Sequence, residues 1–213
     1  MELDTLQALY VEGLRDLYSA ENQLMKALPK MGKAATSPEL QEAFETHLAQ
    51  TAQQIQRLDK IFAELAETPT GKHCKGMEGL IAEGEELMQE DADPDVMDAG
   101  LIAAAQHVEH YEMAGYGTCR TYAELLGFDD QMELLQQTLN EEEETDQLLT
   151  EIALTSVNLA AMTEEGDEDS EDVGEGSSPA SSAGRQTAGK TPAKKSADSG
   201  RKSSAVSKKS RSK

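Results

Sequence analysis

The chain has 213 residues, 19 of them Lys or Arg and 41 Asp or Glu, for a formal net charge of −22. Hydrophobic residues make up 38%, aromatics 4%, and Trp is absent, which is lean for a sheet protein and adequate for helices packed through Leu, Ala and Met. No apolar run approaches the roughly 20 residues of a membrane span, and the acidic start Met1-Glu2-Leu3-Asp4 lacks the basic and apolar regions of a secretion signal, so the sequence predicts a soluble, cytoplasmic protein with no membrane contact.

From residue 3 to 162 the hydrophobic period is helical. Leu6, Leu9, Tyr10, Leu14, Leu17, Tyr18, Leu24, Met25, Leu28 and Met31 recur at steps of three and four, one stripe of a long amphipathic helix with Gly32 near its end. A second helix opens at Ser37 with Pro38 in its first turn and carries Leu40, Phe44, Leu48, Ile55, Leu58, Ile61, Phe62 and Leu65, before Thr68-Pro69-Thr70-Gly71 closes it. The long connection that follows contains Leu80, Ile81, Leu87 and Met88, the pattern of a short helix. A third long helix starts around Pro94, carries Leu101, Ile102, Ala105, Val108, Met113, Tyr116, Cys119, Tyr122 and Leu126, and ends at Gly127. The fourth holds Met132, Leu135, Leu139, Leu149, Ile152 and Leu159. Cys74 and Cys119 stand outside any CxxC pair and read as two reduced thiols.

Short connections make helices one and two, and three and four, antiparallel hairpins. The long crossover between the pairs lets the third helix start parallel to the second. This is the all-α connectivity of a ferritin-like four-helix bundle, here with a short helix in the crossover.

The apolar stripes are interrupted by groups that do not belong in a core. Glu21 falls four residues after Leu17 and three before Leu24. His47 lies three after Phe44, Glu109 and Glu112 sit among Ala105, Val108 and Met113, and Glu142 and Asp146 lie between Leu139 and Leu149. All four long helices thus aim polar groups inward near mid-length. Bare carboxylates in a core cost several kcal/mol each even after relaxation, and a pair of metal ions removes the conflict. Carboxylates with histidine suit iron or manganese. Each signal alone has a plainer reading, a boundary Glu or a satisfied core His, and the weight lies in four coincidences at one depth. There is no phosphate loop, nucleophile triad or HExxH motif.

The segments Leu17-Tyr18-Ser19-Ala20-Glu21-Asn22-Gln23-Leu24, Val108-Glu109-His110-Tyr111-Glu112 and Glu141-Glu142-Glu143-Glu144-Thr145-Asp146 resemble the YciE/YciF group of ferritin-like stress proteins over residues 3 to 160. The resemblance implies a bundle with a di-iron or related site, two metal ions, a homodimer and a role in stress responses. Carried over by position, it assigns Glu21, His47, Glu109, Glu112, Glu142 and Asp146 as metal ligands. Glu21 and Glu109 become the bridging candidates and the others terminal. Glu143, at i+3 from Asp146, is an alternative to Glu142, although the apolar phase favours Glu142. The second helix departs from the usual Glu-x-x-His pattern, with Phe44 before His47, so Gln50 or Gln54 is left to donate or to ligate through an amide oxygen. Tyr18, Tyr111 and Tyr116 read as packing residues, one of which could hydrogen-bond near the metal; His110 faces elsewhere; and His73 and Cys74 read as exposed loop residues. The chemistry implied is oxidation of ferrous iron or reduction of peroxide or dioxygen. The competing readings are a non-catalytic dimeric scaffold and a bundle whose buried acids form only hydrogen-bonded networks.

Beyond residue 162 the chain changes character. Residues 163–184 form an acidic, Gly/Ser-rich linker. Residues 185–213 hold ten basic residues and one acid, a net of +9, which leaves −31 for residues 1–184. With almost no large apolar side chains, this tail is expected to be disordered. Lys194, Lys195, Arg201, Lys202, Lys208, Lys209, Arg211 and Lys213 are suited to phosphates of DNA or RNA without sequence preference, since no aromatic is present to stack on bases. A tail that folds back on the acidic body is the equal alternative.

Overall fold

A computed structural model of the chain describes residues 3–162; the linker and tail expected from 163 onward lie outside the described residues. Five helices follow in order: α1 (Leu6–Ala34), α2 (Pro38–Leu65), α3 (Lys75–Leu87), α4 (Pro94–Leu126) and α5 (Asp129–Ile152), the last continuing through a π-helical turn, Ala153–Val157, to a final turn at Asn158–Ala160. No strand occurs among the described residues, and no helix there is long and apolar enough to cross a membrane.

The boundaries have local causes. The Thr5 hydroxyl accepts from Ala8 N–H at 3.1 Å and starts α1. Pro38 follows the Ser37 N-cap, where its missing N–H costs nothing. Asp98, buried on α4, accepts from the backbone N–H of Thr36 (2.8 Å) and Ser37 (2.6 Å) and from the Thr36 hydroxyl (2.8 Å), clamping the α1–α2 turn to the start of α4. Gly127 takes the left-handed conformation (φ 75°) that ends α4 and lets α5 turn back. α1 ends at Ala34, two residues past the Gly32 expected near its end.

Contacts along the helices give their directions. Leu17 and Gly115 meet, as do Thr36 and Asp98, so α1 and α4 are antiparallel. Arg57 bonds Glu141 and Ser156 bonds Glu39, so α2 and α5 are antiparallel too. α3 runs beside α1, with Cys74 near Asp16 and Glu85 paired with Lys30 at 2.6 Å, and returns the chain to begin α4 parallel to α2. The result is the ferritin-like bundle the connectivity predicts.

Cys74 departs from expectation. It is fully buried rather than an exposed loop residue. It caps α3, its thiol lies 3.1 Å from Asp16 Oδ2 and 2.9 Å from the Tyr111 hydroxyl, and that hydroxyl donates to Asp16 Oδ2 at 2.6 Å. Burial raises the Asp16 pKa, but hydrogen bonds from Tyr111 and Cys74 and the nearby Lys72 outweigh it and hold the carboxyl below its usual range. The cluster ties the crossover to α1 and α4. His73 does face solvent, 3.1 Å from Glu78.

The apolar core is divided. One cluster gathers Leu24, Leu28, Leu40, Phe44, Met77, Leu101 and Leu149; the other gathers Tyr10, Leu14, Leu17, Leu58, Phe62, Cys119 and Leu135. Each fully buried large aliphatic side chain contributes about 1.5–3 kcal/mol. Between the clusters lies a polar layer.

Candidate metal centre

The layer is built from one turn of each long helix. Glu21 comes from α1, His47 from α2, Glu109 and Glu112 from α4, and Glu142 from α5, all at most 2% exposed. One donor atom each from His47, Glu109, Glu112 and Glu142 lie within 4.8 Å of one another. His47 Nε2 is 3.4 Å from Glu109 Oε1 and 3.8 Å from Glu142 Oε2. Glu21 joins from α1, and Tyr116, fully buried on α4, donates its hydroxyl proton to Glu21 Oε1.

Electrostatics follow from this burial. Desolvation, followed by mutual repulsion, lifts Glu112 and Glu142 well above the ordinary carboxylate range. Glu21 and Glu109 are raised for the same first reason, burial. Burial drives His47 the other way, down to about 4, so the ring is neutral and its contacts with Glu109 and Glu142 are not ion pairs. The Thr145 hydroxyl donates to the Glu141 carbonyl at 3.0 Å and is therefore an acceptor toward His47 Nδ1 at 3.4 Å. That places the ring proton on Nδ1 and leaves the Nε2 lone pair directed at the carboxylates.

Protein groups do not satisfy this layer. Glu21 Oε2, His47 Nε2, Glu109 Oε2, Gln54 Oε1 and both oxygens of Glu112 and Glu142 are shielded from solvent and have no hydrogen-bond partner. Glu21 can bond Glu112, and Glu109 can bond Glu142, only with a proton shared between two acceptors. Most of these atoms are acceptors facing acceptors, which is what a cation site presents and what a hydrogen-bonded core does not.

Around the layer, Arg57 holds Glu141 with two bonds of 2.6 Å, and Gln54, buried on α2, donates to Glu141 at 3.2 Å. Gln50, three residues after His47 on α2, is half-buried.

Two candidates lie off the centre. Asp146 accepts from Gln106 at 3.1 Å and lies 3.4 Å from His110 Nε2, with its side chain 21% exposed. The inward face of α5 steps through Thr138, Glu142, Thr145 and Leu149, so Thr145 takes the inward position and Asp146 turns about 100° away. Glu143 is exposed. Glu21, assigned as a bridge by resemblance, has one oxygen taken by Tyr116, whereas Glu112 lies within reach of both Glu21 and the His47 group.

Against known proteins, residues 5–162 match the profile of a family described as a domain of unknown function, DUF892. Over 162 residues the chain is 43% identical to protein YciF of Escherichia coli strain K12, spanning 76% of this chain and 98% of YciF. The chain belongs to the YciF family. The crystal structure of the E. coli stress protein YciF superposes with a TM-score of 0.71, covering 73% of this chain and 99% of that one. YcfI of Rhodopseudomonas palustris, provisionally described as a structural protein, superposes with a TM-score of 0.68 at 45% identity, covering 70% of this chain and 95% of its own. A protein of Xanthomonas campestris, at 19% identity and a TM-score of 0.59 over 74% of this chain and 98% of its own, shares the fold.

Proposed function

We propose that this YciF-family chain is a di-metal protein, with iron the metal best matched to a donor set of four carboxylates and one imidazole and manganese the alternative, and that its chemistry is oxidation of ferrous iron coupled to reduction of peroxide or dioxygen. The observation that carries the proposal is the set of buried, partnerless acceptor atoms shared by α1, α2, α4 and α5. Four ionised carboxylates and a neutral histidine carry a formal −4, which two divalent ions neutralise. Glu21, His47, Glu109, Glu112 and Glu142 would hold the ions, with His47 ligating through Nε2.

Two ferrous ions supply one electron each, which with two protons suffices to reduce hydrogen peroxide to two waters. The protein's part is to hold the carboxylates at fixed spacing, exclude bulk water and keep His47 in the ligating tautomer through Thr145. Loading also displaces protons from the raised carboxyls, so binding strengthens with pH. Anaerobic iron loading followed by exposure to air or peroxide tests the reading. Wild type should retain and oxidise iron, and a Glu21→Ala, Glu109→Ala double variant should not; equal behaviour would refute it.

A second role is favoured by the sequence beyond residue 162. The match to YciF takes in 98% of that protein but only 76% of this chain, and the remainder includes the segment of net charge +9. We propose that residues 185–213 attach the protein to DNA through phosphate contacts, placing peroxide removal beside DNA. Gel-shift titration against salt should show binding that weakens steeply with salt and disappears when residues 185–213 are deleted. Binding that survives the deletion would refute this role, because the remaining body is strongly acidic.

A further inference from the structure

The stretch of α4 that supplies Glu109 and Glu112 to the interior carries a different donor set on its outer face. In Gln106-His107-Val108-Glu109-His110, Glu109 is buried while both histidines are exposed. Residues three apart on a helix are neighbours, with Cβ atoms about 5–6 Å apart, so the two imidazoles can close on one ion without any movement of the backbone. They line one open groove, which Leu80 and Glu83 of α3 wall on one flank. That wall is held in place where α3 packs on α4, Gly76 against Tyr111 and Gly84 against Ala104. On the other flank, Asp146 of α5 lies 3.4 Å from His110 Nε2. The Gln106 amide fixes Asp146 from the same side, donating to its Oδ1 at 3.1 Å and to the Thr150 hydroxyl at 2.9 Å. The remaining exposed histidine, His73, stands beside Glu78 in the crossover, with no second imidazole near it in sequence.

We propose that His107 and His110, flanked by Glu83 and Asp146, form a surface site for a single divalent ion of the late first transition row, with Cu²⁺ bound more tightly than Zn²⁺. The two imidazoles supply the nitrogen donors that suit copper, nickel and zinc, and affinity for such a site rises along the divalent series to copper. The two carboxylates, one on each flank, supply the charge that neutralises a divalent ion. Asp146, turned away from the interior, thus has its metal-binding role on the outside of the bundle, next to His110. This site does not rest on the di-metal reading, because none of its donors belongs to the buried layer. Its donor set is also chemically distinct, since the interior offers carboxylates and one imidazole whereas the groove offers two imidazoles to an ion open to solvent.

The test uses full-length, chelator-washed protein and Cu²⁺ as the probe, with affinity measured by competition against a chelator and the ligands read by electron paramagnetic resonance. The first copper bound should show hyperfine splitting from two nitrogens. Outer partners of a metal ligand are already worth about 10- to 100-fold in affinity, so loss of a direct imidazole in His107→Ala or His110→Ala should weaken that copper by at least about tenfold. Both positions are exposed on a helix, where alanine is well tolerated, and unchanged circular dichroism and Tm would confirm that the variants fold. His73→Ala and His47→Gln should leave the two-nitrogen copper in place. A two-nitrogen signal that persists at wild-type affinity in the His107→Ala, His110→Ala double variant would overturn the proposal, whatever the His47 variant does. Its loss in folded His47→Gln would assign the copper to the buried layer and overturn it as well, as would the absence of two-nitrogen copper in wild type.

Discussion

Replacing Glu112 by methionine separates the cost of the centre from its use. Glu112 is fully buried and neither carboxyl oxygen has a hydrogen-bond partner. A buried, unsatisfied polar group costs about 1–3 kcal/mol, and burial, followed by repulsion from Glu21, Glu142 and Glu109, raises its pKa and adds to that cost at alkaline pH. Methionine has the same unbranched length and adapts to irregular spaces. In chelator at about pH 8, Glu112→Met should therefore be more stable than wild type by about 1–3 kcal/mol, a rise in Tm of about 3 to 9 °C for a domain of this size. With ferrous iron or manganese at about 100 times Kd, wild type should gain about 2.7 kcal/mol by mass action while the variant gains little, so the variant's lead is cancelled or reversed. Thermal unfolding followed by circular dichroism, with and without metal, reads both differences. A variant less stable than wild type in chelator, with a gap that metal does not change, would show that Glu112 supports the core through ordinary packing.

Metal-stripped protein should lose stability as pH rises above the ordinary carboxylate range toward about 8, because folded Glu21, Glu109, Glu112 and Glu142 retain protons that the unfolded chain has released. His47, held down to about 4, acts in the opposite sense but only below its unfolded pKa of 6.5. Urea midpoints near pH 6 and near pH 8.5 should therefore fall with pH in chelator, and a rising midpoint would contradict the assignment. In α3, Gly76→Ala should cost about 1–3 kcal/mol, since the new Cβ would lie 2.6 Å from Tyr111 Cε2. Gly79→Ala, with nothing within 4 Å, should stabilise by about 0.5–1 kcal/mol. Asp98→Ala should cost about 2 to 3 kcal/mol in chemical unfolding by stranding the two N–H groups and the hydroxyl it accepts.

The helices were legible in the sequence because their stripes are long and their ends carry strong signals: Ser37-Pro38 opens α2 and Gly127 closes α4. The start of α5 at Asp129, ahead of Met132, and the π-helical turn at Ala153–Val157 were not. Neither has a local marker; Phe128 caps α5 without a side-chain hydrogen bond. Glu21, His47, Glu109, Glu112 and Glu142 stood out because each replaces an apolar residue in a core stripe. Asp146 was read as inward because it falls with Glu142 between Leu139 and Leu149, while α5 carries Thr145 inward at the three-residue step from Glu142. Tyr116, Gln54 and Thr145 were harder to place. A tyrosine or threonine fits an apolar stripe, and only the three-dimensional neighbourhood shows that the Tyr116 hydroxyl meets Glu21 and that the Thr145 hydroxyl sets the His47 tautomer. The burial of Cys74 depends on tertiary contacts with Asp16 and Tyr111 that no spacing encodes.

Metal content after anaerobic loading bears most directly on the role of the buried layer. Full-length protein incubated with ferrous iron, freed of unbound metal and measured by plasma mass spectrometry should retain about two iron atoms per chain, and a His47→Ala, Glu109→Ala variant should retain far less. Wild type that carries no iron or manganese, or as much as the variant, would mean that these side chains are reconciled without cations.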